Sequence, residues 1–203
     1  EELKLQREEL RQTREEFVTQ NETLKKQRFE NTFFHLVGLH NEIVDKLYIT
    51  KDEFKLKSRI PKSEPVTYNK KSFFNKALND LGSEAKIHWE YTSPEDNCWT
   101  SIQDAYRTFN FEYAQHLSHY FRNLYHIYKY IHFSNLITQK EKQFYASIIR
   151  AQLSDKELSI IFYNMLVEGA GYPNFKYLDQ IYNVLKNLDE DGVLFQTSHM
   201  RLF

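Results

Sequence analysis

The residues with the greatest chemical capacity fall within one stretch, His119-Tyr-Phe-Arg-Asn-Leu-Tyr-His-Ile-Tyr-Lys-Tyr-Ile-His132. At about 100° per residue a helix divides it into two faces. Leu117, Tyr120, Phe121, Leu124, Ile127, Tyr128 and Ile131 make an apolar face, while His119, Arg122, Asn123, His126 and Tyr130 make a polar one. His119, Arg122, His126 and Tyr130 follow one another at steps of three, four and four, so they form a continuous stripe. An arginine there offers a fixed positive charge to an anionic transition state. A histidine one turn away exchanges protons near neutral pH, and a second completes an acid–base pair. That set suffices for metal-independent RNA cleavage, in which a ribose 2′-hydroxyl attacks the adjacent phosphate. The same residues also suit the polar side of an ordinary amphipathic helix, and the pattern alone leaves both readings open.

Other positions carry less. His119 and His126 are two turns apart with no acidic residue between them on that face, so no metal site is expected. His40, in His40-Asn41-Glu42, falls on an apolar helix face, with His35 and Glu42 opposite. Either His40 and Asn41 join the Arg122/His126 face as further contacts, or His40 is a core histidine satisfied by a hydrogen bond. Arg150, at a helix C-terminus, suits either a phosphate or the helix dipole. Asn164, set among Phe162, Tyr163, Met165 and Leu166, reads as part of a structural network. No Gly-rich phosphate loop, nucleophile motif or zinc-ligand set occurs, which disfavours an ATPase, protease or kinase and calls for no cofactor.

The elements that must position these residues are helical. Gly 5 and Pro 4 in 203 residues are few, which favours long helices over many short strands. Hydrophobic residues reach 41% and aromatic residues 16%, enough for a core built on rings. The formal charge of −1 argues against a large sequence-independent nucleic-acid surface, although a small local site remains compatible with it. The single cysteine, Cys98, forms no internal disulfide and fits a reducing compartment. No apolar run is long enough to span a membrane.

Residues 1–28 divide into sevens with Leu3, Leu10, Phe17 and Leu24 in register. That repeat predicts a helical stalk, with dimerisation through a coiled coil as its functional reading. If the Leu/Phe row is d, position a holds Arg7, Arg14 and Asn21, a poor core. The alternative is a solvated helix held by pairs such as Arg11–Glu15. The chain opens inside this repeat without Met, which predicts a natural N-terminus further upstream. Helices are expected over 29–48, 71–81 with Gly82 as stop, 99–133 with Asn110 as a candidate break, 139–151, 154–168 behind a Ser154…Glu157 capping box, and 175–189. The segment 49–69 reads as a loop with short extended pieces, and 83–98 as a second irregular connection. The expected organisation is a stalk (1–28), an all-α helical bundle (29–190) and a tail (191–203).

Three blocks, FFHLVGLHNEIVDKL (33–47), HYFRNLYHIYKYI (119–131) and YASIIRAQLSDKELSIIFYNML (145–166), together resemble the putative phage abortive infection protein family, of the abortive-infection-C type. The resemblance runs from about residue 29 to 188. It implies bacterial antiphage defence, in which the infected cell stops growing before the phage matures, and a phage-derived trigger. It also implies two membrane helices ahead of the heptad segment, hence a cytoplasmic domain of an inner-membrane-anchored protein. More loosely, the chain is similar to the helical HEPN RNases in being all-α. Their motif sets four to six residues between an Arg, often followed by a polar residue, and a His, and their site is usually built across a dimer. Arg122-Asn123-Leu-Tyr-His126 matches its start but leaves only three residues between Arg and His. Two roles follow as expectations: a sensor domain signalling through the stalk, or an RNase toxin using Arg122 and His126, with His119 in support.

Overall fold

The computed structural model describes residues 1–51, 65–91 and 98–189; the expected 191–203 tail and most of the Pro61/Pro65 loop lie outside them. Among the described residues are six helices and one small sheet: α1 (Glu2–Lys46), β1 (Tyr48–Lys51), β2 (Val66–Asn69), α2 (Lys70–Tyr91), α3 (Cys98–Phe133), α4 (Gln139–Arg150), α5 (Asp155–Leu166) and α6 (Asn174–Tyr182). The all-α expectation holds. Helix α3 is the axis of the body, with α1, α2, α4, α5 and α6 all packed against it. Of the face that the sequence period marks, Leu117, Tyr120, Leu124, Ile127, Tyr128 and Ile131 are buried and Phe121 is half-buried, and Tyr113 extends it towards the N-terminus. Asn110 makes no break; it is exposed on one uninterrupted helix.

Helix α1 is 45 residues long, about 67 Å at 1.5 Å per residue. Residues 1–28 are exposed on every side, and burial begins at Phe29 and continues through Phe33, Val37 and His40. One helix is thus both rod and part of the body. Phe29 stacks on Tyr130 (centroids 5.1 Å apart, planes 9°) and lies 4.7 Å from the Tyr145 ring. A fully buried ring such as that of Phe29 contributes about 2–3 kcal/mol by area. At the base of the rod, Lys26 Nζ meets Glu141 Oε1 at 3.0 Å. The Thr138 N–H and Lys26 together hold the Glu141 carboxyl down at about 2.

Helix ends differ from the sequence expectation where packing outweighs local signals. Helix α2 runs through Gly82 to Tyr91, because Leu81 and Ala85 on either side of it are buried. A mid-helix glycine costs only about 1 kcal/mol, less than that burial returns. Residues 48–51 and 66–69 pair as short antiparallel strands, Ile49 opposite Tyr68, which are the short extended pieces expected at 49–69. Helix α6 stops at Tyr182 rather than 189. Asn183 turns left-handed (φ 50°), and Asp179 Oδ1 accepts the Leu185 N–H at 2.9 Å. Leu185 and Leu188 still pack on the core, but from a turn.

The capping box before α5 is present as read. Glu157 Oε2 accepts from the Ser154 N–H (3.0 Å) and hydroxyl (2.6 Å). A second box, Thr138…Glu141, opens α4. Glu157 is buried and its other oxygen accepts the Tyr120 hydroxyl at 3.1 Å, tying α5 to α3. Glu157→Ala removes the cap and leaves a buried phenol unpaired, so we expect a loss of about 2–3 kcal/mol in urea denaturation. Ser154→Ala, which strips the cap alone, should cost about 1 kcal/mol.

Candidate functional site

Where α1 enters the body it lies along the polar face of α3, and the two helices leave an open groove of about 900 Å³ between them. Leu36, Leu39 and Ile43 of α1 make an apolar floor. The α3 wall carries His119, Arg122, Asn123, His126, Lys129 and Tyr130, and Phe133, Ser134, Asn135 and Leu136 close the end. The whole stripe read from the sequence therefore faces one cavity. Arg122 and Lys129 supply fixed cations, and no carboxylate among the described residues lines the groove. His119, Arg122 and His126 are exposed, and none makes a hydrogen bond or ion pair among the described residues. Lys129 Nζ also lies over the Tyr125 ring, 5.7 Å from its centroid. Cations without a carboxylate partner beside an apolar floor suit a ligand that is both anionic and apolar. Arg122 also borders a smaller cleft of about 320 Å³ with Asn164, Gly169, Gly171 and Asn174.

Tyr130 has a packing role as well, through its stack on Phe29. Asn123 departs from the expected polar face: it is buried, reaching the groove only with part of its surface, and it sits beside His40. His40 is 5% exposed, with its ring 5.0 Å from that of Tyr120. It does not line the groove, and neither ring nitrogen has a hydrogen-bond partner of ordinary geometry; Asn123 Oδ1 is likewise unpaired. The backbone-bonded core histidine expected from the sequence is thus a core histidine without that bond. Burial lowers its pKa to about 4, against a smaller opposing pull from the Asn123 amide.

The remaining candidates lie elsewhere. Asn41 is exposed and away from the groove. Arg150 spans from α4 to the end of α6, donating to the Tyr182 carbonyl (3.1 Å) and the Asn183 carbonyl (3.0 Å). Asn164 donates to the Tyr106 hydroxyl at 2.7 Å and its carbonyl accepts the Gly171 N–H at 2.9 Å. A Cβ at Gly171 would stand 2.6 Å from Asn164 Oδ1, which explains a glycine there. No group of three or more His, Cys, Asp or Glu able to hold a metal occurs among the described residues. Sequence reasoning missed Lys129 and the α1 floor. Lys129 could have been found three residues after His126; the floor could not, because nothing local says which helix faces the stripe.

The fold and site define a class first: an all-α bundle with a long helical extension and a basic, apolar-floored groove. A family model described as "Putative phage abortive infection protein" matches residues 112–193, about two-fifths of the chain. The match takes in the wall of the groove and the α5 block, the second and third blocks of the resemblance; the first, on α1, lies outside it. No curated protein and no solved structure matches the chain. No described helix is long and apolar enough to cross a membrane.

His40 gives a test of the seam beneath the groove. Its folded pKa lies below the usual 6.5, so the unfolded chain binds the extra proton. Its contribution is fully present above about pH 6.5 and is lost as pH falls towards 4. His40→Phe should flatten the fall in unfolding free energy between pH 7 and pH 4 by up to about 3 kcal/mol relative to the parent, read by urea melts across that range.

Proposed function

We propose that the chain serves phage abortive infection as a recognition domain, with the α1/α3 groove as its binding surface for an anionic, partly apolar phage or host component. The family match supports the antiphage role. The observation that carries the groove is the convergence of His119, Arg122, His126 and Lys129, none of them in a hydrogen bond or ion pair among the described residues, over the floor of Leu36, Leu39 and Ile43. Arg122 and Lys129 attract the acidic groups and the floor takes the apolar part. The same helix that floors the groove continues without interruption into the exposed rod. An occupant that shifts or stiffens α1 therefore acts directly on whatever is joined to its N-terminal end, for which membrane helices upstream are the proposed receiver.

A second reading, metal-independent RNA cleavage by Arg122 with His126 or His119, rests on all three facing one cavity. The Arg-to-His spacing, one residue shorter than the HEPN pattern, disfavours it. Both readings need Arg122. In the natural full-length protein, Arg122→Ala and His126→Ala are expected to abolish phage protection in plating assays. The purified domains should keep their stability within about 0.5 kcal/mol, because both side chains are exposed. Survival of protection in both variants would overturn the groove as the working surface. Incubation of the parent domain with RNA separates the readings: recognition predicts no cleavage, the nuclease predicts cleavage lost with His126.

A further inference from the structure

The rod carries a second surface that the groove does not use. Leu3, Leu10, Phe17 and Leu24 recur every seventh residue and stand from 74% exposed at Leu3 to 50% at Leu24. Four large apolar side chains in one exposed row are costly unless another chain covers them. Placing this row at a instead of d changes what surrounds it. Position d then holds Gln6, Thr13, Gln20 and Gln27, neutral and small enough to pack, while the arginines leave the core for e. Position g becomes Glu2, Glu9, Glu16 and Thr23, and position e becomes Arg7, Arg14, Asn21 and Arg28.

We infer that residues 1–28 form a parallel, in-register two-stranded coiled coil with a second copy of this chain. Charge decides both the partner and its direction. In a parallel pair each g residue faces the e residue five positions on in the other helix. Glu2 then meets Arg7, and Glu9 meets Arg14, of the second copy. An antiparallel pair would set g against g and e against e, Glu on Glu and Arg on Arg. The intrachain ion pairs follow this division. Arg11 donates to Glu8 (2.5 Å) and forms a longer ion pair with Glu15 (4.0 Å) on the outer face. Glu2, Glu9, Glu16, Arg7 and Arg14 make no ion pair among the described residues and remain free for a partner.

The body leaves room for the partner. Leu24 precedes the buried Phe33 by nine residues, about 180° around the helix, so the row faces away from α3 and α4. The row also continues into the body helix: Asn31 falls at the next a, a residue that favours one register, and the 54%-exposed Phe34 at the next d. The polar d positions make this a modest association, tuned by concentration.

Sedimentation equilibrium on this 203-residue chain should show a concentration-dependent dimer. Glu9→Lys or Arg14→Glu alone should raise the dissociation constant roughly tenfold, and the two together should restore it to within about twofold. Under mild oxidation Thr13→Cys should cross-link to its own copy, whereas the parent and Glu15→Cys, on the outer face, should not. A monomer at about 100 µM would overturn the proposal. So would a double variant no better than the singles, the result an antiparallel or unrelated contact gives. None of these substitutions touches the groove, so protection assays on the groove variants stand or fall separately.

Discussion

The burial of one face of α1 against α3 is the contact on which the rest of the molecule depends. Phe29 and Phe33 are fully buried, and Phe29 is held between the rings of Tyr130 and Tyr145. The Tyr145 hydroxyl then reaches Glu30 Oε1 at 2.6 Å, so the same ring that packs the seam also fixes the helix axially. Rings of this size bury much area for few rotatable bonds, which lets a short stretch of α1 anchor a helix that projects far beyond the body. Without that anchor there would be no floor under the polar stripe and no defined direction for the rod.

The groove is a by-product of how these two helices meet. Aromatic pairs hold α1 and α3 close at Phe29, while Leu36, Leu39 and Ile43 lie further along, where α3 offers charged and polar side chains. Arg122 and Lys129 gain nothing from a leucine floor, and no carboxylate among the described residues lines the groove to neutralise them. Stability alone does not call for such an arrangement. The buried His40 and Asn123 beneath it are similar, holding polar atoms without partners at the base of the wall. Unsatisfied groups of this kind cost free energy, and they concentrate where a structure is shaped for something besides its own stability.

Rod and groove share one helix but use different sides of it. The leucine row faces away from the body, the floor residues face α3, and the ion pairs of Arg11 occupy the outer surface of the rod. A ligand in the groove and a second helix along the rod can therefore be bound together, with helix α1 running through both. A continuous helix is stiff over this length, which makes it suited to carrying a displacement from one end to the other.

Much of this was legible in the sequence. Periodicity marked the buried face of α3, the exposed stripe, the heptad row and the burial of His40, and the Ser154…Glu157 spacing located the start of α5. These are properties of single segments, set by 3.6 residues per turn and by which terminal groups need a cap. The structure decided what depends on segments distant in the chain. Gly82 does not stop α2, because Leu81 and Ala85 are buried around it. Arg150 is taken up by the carbonyls at the end of α6, and Asn123 is drawn inward beside His40. Above all, the sequence placed His119, Arg122, His126 and Tyr130 in a row but could not say what they face. Local pattern fixes which side of a helix is polar; only long-range packing, here the aromatic seam of Phe29 and Phe33, chooses the helix that lies across from it.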